Sequence, residues 1–489
     1  MIFQQPIIKY LWLILICCPT LVVAETTTFA ISNAPNSLHP ILASDATSER
    51  INALIYQPIM ELNENDQPIS GLADITQHDE QHYSLVLSST KHRFSNNTAV
   101  SLLDMAASLN LARNHPRSPQ AQTLSNIAAI KTTEQSILIS LKKPDYRFAE
   151  KLQISVAPKD MLRKDETLAR HPVGSGAFEW VKTQVDGGVT LRHRKSAEEV
   201  RFEVNKDPTM RVLKLLKGEA SILQNDLPHE MYRLLKDEPN IQVTQTPGTT
   251  FSYLGFNMAD PILKQDEIRQ AIAYAINLQV IVKHLFQGNA KLANTLLAPG
   301  HWATHSDLPA YEYSPDKAKY LLATLGYSKA NPLELSYKTS TDPFRLRIAA
   351  VFQQQLHEVG INLKIQSYEW GSFFGDIKAG RFQLYSLSWV GIRSPDVFRY
   401  VYHSDSLPPS GANRGRYQSA EVDQLIEQAE ELPLEKSLPL YRKIQEKIHR
   451  DLVYVPLWHE DQIVASRRGD LKPSKHGSYQ YLERAFGQH

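Results

Sequence analysis

The sequence predicts a mixed α/β protein folded as several packed lobes, and three observations lead there. The chain has 489 residues, whereas a single hydrophobic core stops growing beyond about 250–300 residues. Apolar residues alternate with polar ones in some stretches and recur at helical spacing in others, interleaved without a fixed period. Hydrophobic residues make up 42% and charged residues 21% of the chain, with no low-complexity block, so an ordered body is expected.

The individual elements follow from local pattern. Tyr83, Leu85 and Leu87 alternate with polar residues, as do Ile137, Ile139 and Leu141, then Val189, Leu191 and His193, then Phe202 and Val204; each set predicts a half-buried strand. Pro172 to Gly176 predicts a turn, and Thr246-Pro247-Gly248-Thr249 another, followed at once by the apolar run Phe251 to Phe256. Ile268, Ile272, Ala275 and Ile276 share one helical face. Ser314-Pro315-Asp316 supplies an N-cap, a first-turn proline and an acid at the positive helix end, which predicts a helix running to Gly326. Val351, Leu356 and Val359 lie in a helix that should stop at Gly360. Strand-rich sequence leads to about Thr246 and helix-rich sequence follows. A last apolar run, Val453 to Trp458, contains Pro456; with Phe251 to Phe256 it is expected to form paired crossings between two lobes.

Lys+Arg number 53 against 52 Asp+Glu, a balance that argues against polyanion binding, which needs an excess of cations to replace phosphate counterions. Lys9, the apolar run Leu11 to Cys18, Pro19 and then Val22-Val23-Ala24 have the order of a secretory signal peptide, with cleavage expected after Ala24. The run is shorter than the about 20 residues that span a bilayer. A lipoprotein acylated at Cys17 or Cys18 is the rival reading, against which stand Ile16 and Cys17 where a small residue is usual. No later stretch is apolar over a membrane-spanning length, so the mature chain is expected in solution outside the cytoplasm. It would hold no cysteine and would rest on its core.

Catalytic motifs are missing or incomplete. Gly174-Ser175-Gly176 lacks the third glycine and the Gly-Lys-Ser/Thr continuation of a phosphate loop, and reads as a turn. No Gly-x-Ser-x-Gly elbow occurs. His78/His82 and His301/His305 have four-residue spacing but lie in loop-like sequence, where a helical metal site is not expected. No catalytic residue, metal site or cofactor is therefore expected. Aromatic residues cluster instead: Tyr368, Trp370, Phe373 and Phe374, then Tyr385, Trp389, Phe398, Tyr400 and Tyr402. Most of such a stripe should be core. Trp389, in Leu387-Ser388-Trp389-Val390-Gly391, ends a strand at a glycine and suits a cleft wall.

In chain order, Asn36-Ser37-Leu38-His39-Pro40, Ile55-Tyr56-Gln57-Pro58-Ile59, Gly71-Leu72-Ala73, Phe94-Ser95-Asn96-Asn97-Thr98 with Asp104 and Ser108, and Pro172 to Phe178 stand out. Tyr253-Leu254-Gly255-Phe256-Asn257 with Ile268 to Ile276, then Trp389, Asp396, Asn413 to Tyr417 and Val455-Pro456-Leu457-Trp458, complete the set. Together they resemble the periplasmic solute-binding proteins of family 5, the peptide- and nickel-binding group that feeds ABC importers; Asn96-Asn97 depart from the family's Asp-Gly. The resemblance implies a two-lobed periplasmic binding protein (type II, cluster C) with an extra subdomain on the first lobe. After the signal peptide, 1–24, the first lobe would hold residues 25–58, 172–249 and 462–489, the subdomain 59–171, and the second lobe 250–461. It implies a small-molecule or peptide ligand enclosed by hinge closure, and an importer permease with its ATPase as partner. No nucleic acid, no cofactor and no enzymatic activity are expected, and the chain is expected to be a monomer.

Two departures bear on the ligand. Peptide binders of the family resemble one another in placing an acid three residues after the cleft Trp, to pair with the peptide ammonium; here that position is Ile392. Dipeptide binders carry an Arg for the carboxylate in a stretch that corresponds roughly to Thr339-Ser340-Thr341. Burying an ion without a partner costs several kcal/mol, so the expected ligand has blocked, modified or uncharged ends, unless Asp396 or Glu369 supplies the acid. Arg393, Arg345 and Arg414 are the candidate partners for an anion. The ligand-binding residues implied are Trp389 as a stacking face, Ser388, Val390, Gly391, Ile392 and Arg393 around it, Phe251 beside it, and Asn33, Ala34 and Asn36 on the first lobe. Asp396, after Pro395, reads as a turn cap. A non-peptide solute (metal chelate, haem or cell-wall fragment) and a sensor without a permease remain open.

Overall fold

The computed structural model describes residues 26–163, 165–409 and 411–487; the signal-peptide reading of residues 1–24, with Cys17 and Cys18, lies outside them. Among the described residues the strands are β1 (Thr27–Ile31), β2 (Met60–Leu62), β3 (Pro68–Ser70), β4 (Ala73–Gln77), β5 (His82–Leu87), β6 (Ile127–Thr132), β7 (Ile137–Leu141), β8 (Phe178–Thr183) and β9 (Val189–His193). They continue as β10 (Glu199–Val204), β11 (Ile222–Gln224), β12 (Gln242–Phe256), β13 (Ala290–Leu292), β14 (Leu333–Ser340), β15 (Ile361–Tyr368), β16 (Leu384–Trp389) and β17 (Tyr454–Ser466). The alternating stretches read from the sequence became β5, β7, β9 and β10. One large sheet has the order β15-β14-β16-β12-β17-β11-β1-β10-β9-β8, with β13 on β17. A separate sheet, β4-β5-β7-β6, and the hairpin β2-β3 stand apart from it.

The large sheet carries different cores at its two ends. At the β1–β8 end, Phe29, Phe178, Leu191 and Phe202 pack with Ile51 and Leu54 of helix Ala46–Ile55 and with Leu482. At the β14–β16 end, Leu335, Ile361 and Leu384 pack with Ile268 and Ile272 of helix Asp266–Ala275 and with Phe352 and Leu356 of helix Pro343–Val359. That helix ends, as its glycine demands, at Gly360 with φ +97°. The helix begun at Pro315 runs to Thr324 and is followed by Gly326 at φ +84°. The small sheet buries Tyr83, Leu85 and Ile139 against Met105 and Leu109 of helix Leu102–Asn114.

β12 and β17 join these ends. Their antiparallel pairing runs from Gln242↔Ser466 to Gly255↔Tyr454. β17 gives Val464 to the core at one end of the sheet and Leu457 and Trp458 to that at the other, and β12 adds Leu254 and Phe256 to the second. The sequence reading of Thr246-Pro247-Gly248-Thr249 as a turn is corrected here. These residues form a register shift between Thr246 and Thr250 inside one continuous strand, opposite Gln462 and Glu460. Proline lacks the N–H a ladder needs, and a bulge absorbs it without ending the strand. Gly248 permits the close approach, since a Cβ there would lie 2.0 Å from the Glu460 carbonyl oxygen.

Gly174 answers a similar demand. The loop 172–176 lies on the end of helix Ala46–Ile55, with Gly176 N–H donating to the Ile55 carbonyl at 2.8 Å, and a Cβ on Gly174 would lie 2.1 Å from that same oxygen. Gly174→Ala is therefore expected to destabilise the protein by roughly 1–3 kcal/mol through overpacking. A thermal melt showing an unchanged midpoint would mean that the loop lifts off without cost.

Candidate functional site

β14 is parallel to both β15 and β16, so Ser340, Tyr368 and Trp389 mark one carboxyl edge, where α/β sheets place their ligands. Helices begin directly beyond two of these ends. Asp342 caps Pro343–Val359 by accepting from Arg345 N–H, and Glu369 caps Trp370–Ala379 by accepting from Gly371 N–H at 2.7 Å. β12 runs antiparallel to β16 and sets Phe251 opposite Trp389 and Ser252 opposite Ser388. Register alone thus brings Phe251, Ser388 and Trp389 together.

A chain of hydrogen bonds ties this edge to the crossing strands. Arg345 donates to Ser388 Oγ at 3.2 Å, the Ser388 and Ser252 hydroxyls lie 2.7 Å apart, and Ser252 Oγ donates to Glu460 at 2.8 Å. Since Ser252 gives its proton to the carboxylate, Ser388 must donate to Ser252. Arg345 also lies 3.7 Å from Glu460.

Trp389 is half-buried. The Arg414 guanidinium sits 4.3 Å over its ring, Tyr253 stacks at 6.4 Å, and Tyr400 meets it edge-on at 6.1 Å. Arg414 is held there by donating to the Tyr253 hydroxyl at 3.1 Å. A cation over an indole face is favourable, so part of the expected stacking surface is taken by the chain itself. The Trp389 Nε1–H is buried without an acceptor among the described residues.

The remaining sequence candidates divide. Val390 and Gly391 are exposed, Gly391 with φ +71°. Ile392 is buried in the apolar cluster of Phe398 and Tyr441, so its side chain faces core. Arg393 approaches Asp66 at 4.0 Å, and its carbonyl lies 3.1 Å from His301 Nε2. Asn33, Ala34 and Asn36 follow β1. Asn33 donates to Ser32 Oγ at 3.1 Å and Ala34 lies against Gly187; neither contact involves the β16 segment. Of the aromatic stripe, Phe373, Tyr385, Phe398 and Tyr402 are core, while Tyr368, Trp370 and Tyr400 are exposed.

Asp396 is not the turn cap read from the sequence: its side chain makes no capping bond. It binds Arg147 directly and lies 3.1 Å from Lys151, which also holds Asp145 at 2.8 Å. Burial alone would push the Asp396 carboxyl up, but Arg147 and Lys151 hold it below the usual range. Arg147 and Asp396 are 249 residues apart, and no local signal announces such a pair. A second unforeseen cluster sits beside the bulge: Asp66 is 2.7 Å from His476 and 2.6 Å from Lys475, and His476 Nδ1 is 2.9 Å from Thr249 Oγ1. Among the described residues no group of three or more His, Cys, Asp or Glu is arranged to hold a metal. His82 pairs with Asp79, and His305 with Glu446.

Residues 89–410 match the model of the "Bacterial extracellular solute-binding proteins, family 5 Middle". The chain is similar to "Probable di/tripeptide-binding protein 5" of Pseudomonas aeruginosa, 28% identical over 372 residues that cover 72% of this chain and 70% of that one. It is similar as well to the dipeptide-binding protein of Escherichia coli, 26% identical over 340 residues, 65% of this chain and 63% of that one. In fold it matches the crystal structure of NikA from Brucella suis in complex with Fe(III)-EDTA, with a TM-score of 0.85 at 19% identity, covering 94% of this chain and 99% of the other.

Glu150 yields a test of the ion cluster. Burial pushes its carboxyl up to about 7, against the pull of Arg147. Ionising a group whose folded-state value is raised costs stability, so the penalty is absent at acid pH, grows between about pH 4.5 and 7 and is complete above that. Glu150→Gln is expected to match the wild type near pH 4.5 and to be more stable at pH 8, by about 1–3 kcal/mol. Denaturant titrations at both pH values check this, and a pH-independent difference would contradict it.

Proposed function

The chain belongs to the family 5 bacterial extracellular solute-binding proteins, and from that premise we propose that it captures a peptide-like ligand with blocked or uncharged ends by hinge closure. It hands that ligand to the permease of an ABC importer. The lobes are those delimited above, residues 25–58, 172–249 and 462–489 with the subdomain 59–171 forming one jaw and residues 250–461 the other. The hinge lies where β12 and β17 cross, and the working location is the periplasm after removal of residues 1–24. No helix among the described residues is long and apolar enough to cross a membrane.

One observation carries the choice of ligand: the charged groups nearest Trp389 already have partners. Asp396 is neutralised by Arg147 and Lys151, and Glu369 caps a helix. Arg345 is committed to Ser388 and Glu460, Arg414 to the Trp389 ring and Tyr253, and Arg393 lies near Asp66. A free ammonium or carboxylate entering this edge would have to break one of these pairs, and leaving a buried ion unpaired is strongly unfavourable. Amide groups need only donors and acceptors, which the exposed backbone of Val390 and Gly391 offers. Binding then shifts the lobes towards the closed form without altering the ligand.

Protein purified from periplasm without denaturation is expected to carry a small molecule whose ends are blocked or uncharged, visible by native mass spectrometry. Trp389→Ala should weaken its retention by about 1–3 kcal/mol. Wild-type protein that carries nothing, or a Trp389→Ala protein that retains the same species equally well, would overturn the proposal.

A further inference from the structure

The segment after β7 and the loop after β16 belong to separate apolar clusters. Phe148 and Leu152, the ends of the 3-10 helix Phe148–Leu152, are buried with Tyr83, Leu85 and Met105. Phe398 and Tyr441 are buried in another cluster, with Tyr385 and Ile392. Charge joins the two bodies where they meet. Arg147 binds Asp396 directly with only 6% of its side chain exposed, and its guanidinium lies 5.2 Å over the Tyr441 ring. Lys151 reaches Asp396 at 3.1 Å and Asp145 at 2.8 Å. Nearby, Lys143 of the first body lies 3.5 Å from Glu431 of the second.

An ionic seam can part where an apolar one resists. Separating apolar faces forfeits their burial, whereas separated ions are rehydrated, and the attraction within a buried pair is largely offset by the cost of drying it. The balance of charge then decides whether the seam holds. Arg147 and Lys151 face Asp145 and Asp396, two cations against two carboxylates, while Arg399 alongside is satisfied by Glu430. Glu150, on the same turn as Arg147, is pushed up to about 7 by burial and is mainly neutral near pH 6. Removing one member of the even set leaves a buried charge uncompensated, which is strongly unfavourable.

We propose that Arg147 and Lys151 are positioning residues that latch the subdomain to the second lobe through Asp396, and so hold the loop that follows Trp389. This rests on the hinge reading above. It adds a contact, made by the chain alone, that sets how far the lobes stand apart before a ligand arrives.

The test places spin labels at Gln135→Cys in the β6–β7 turn and Tyr320→Cys on helix Pro315–Thr324, both exposed positions. The protein is unfolded, washed free of ligand and refolded, and the distance distribution is read near pH 6. Asp396→Asn and Arg147→Gln are each expected to lower the short-distance population by about threefold or more. Combined, they leave Lys151 facing Asp145, an even set again, and the double variant is expected to regain most of that population. A merely structural role would make the double variant the worst of the three. Thermal melts confirm that all are folded. The small-molecule filtrate of a periplasmic extract, added to each protein, reads the hinge itself. Suppose the filtrate shortens the distance: a ligand-free distribution shared by wild type and both single variants, or a double variant more open than either, would then overturn the latch and leave the hinge standing. A distance that neither substitution nor filtrate moves would overturn both.

Discussion

The pairing of β12 with β17 is the constraint on which the rest depends. Among the described residues no other pair of strands serves both ends of the large sheet: β17 bonds to β11 through Val464 to Ser466 and to β13 through Trp458 to Glu460. Each end buries its own apolar cluster, so each is stable against its own helices. In the proposed closure, bending between them would concentrate where the ladder is already interrupted, at the register shift between Thr246 and Thr250. There the Thr249 N–H donates to the Lys475 carbonyl at 3.0 Å, and side chains add to this one backbone bond. Thr249 meets His476, which meets Asp66 from the β2–β3 hairpin, and Gln245 donates to Asp461 at 2.6 Å. Such bonds can be exchanged for water at modest net cost, which a continuous ladder across a core could not allow.

The same geometry places the chemistry. The edge at Trp389 lies one register step from Ser252, which bonds to Glu460 beside the shift. A ligand at this edge, as proposed, would lie next to the segment proposed to bend. The internal pairing of charges there has a second consequence. Ion pairs such as Arg147 with Asp396 join the segment near β7 to the loop after β16, so the approach of these parts already neutralises buried charge before any ligand arrives. In the proposed function the ligand would then need to add only neutral contacts, which would favour amide-rich solutes over those with ionised ends.

Much of the fold was legible because short-range pattern decides it. Alternation marked β5, β7, β9 and β10, and glycines marked the ends of the helices that stop at Thr324 and Val359. The motif blocks identified the fold class. The bulge at Pro247 was misread because a Pro-Gly pair has the same local preference in a turn as in an interrupted strand, and only pairing with β17 separates the two. Phe251, Ser388 and Trp389 were named from the sequence, and the register of β12 with β16 sets them side by side. Arg147, Lys151 and Asp66 could not be, because Asp396, Lys475 and His476 lie hundreds of residues from them and charge-bearing residues outside regular elements have no period. Arg414 was named for its charge, yet its position over Trp389 follows from packing that sequence does not display.

The most direct measurement is a distance between the two ends of the large sheet, before and after ligand. Val185 and Tyr320 are exposed, one in the β8–β9 turn and the other on helix Pro315–Thr324. Both cysteines of the sequence, Cys17 and Cys18, precede the predicted cleavage site, so Val185→Cys with Tyr320→Cys gives a pair for spin labelling. Addition of periplasmic extract is expected to shorten and narrow the distance distribution, as bending at the register shift brings the ends together. A distribution that stays the same in width and mean, with a ligand demonstrably bound, would contradict a hinge at β12 and β17.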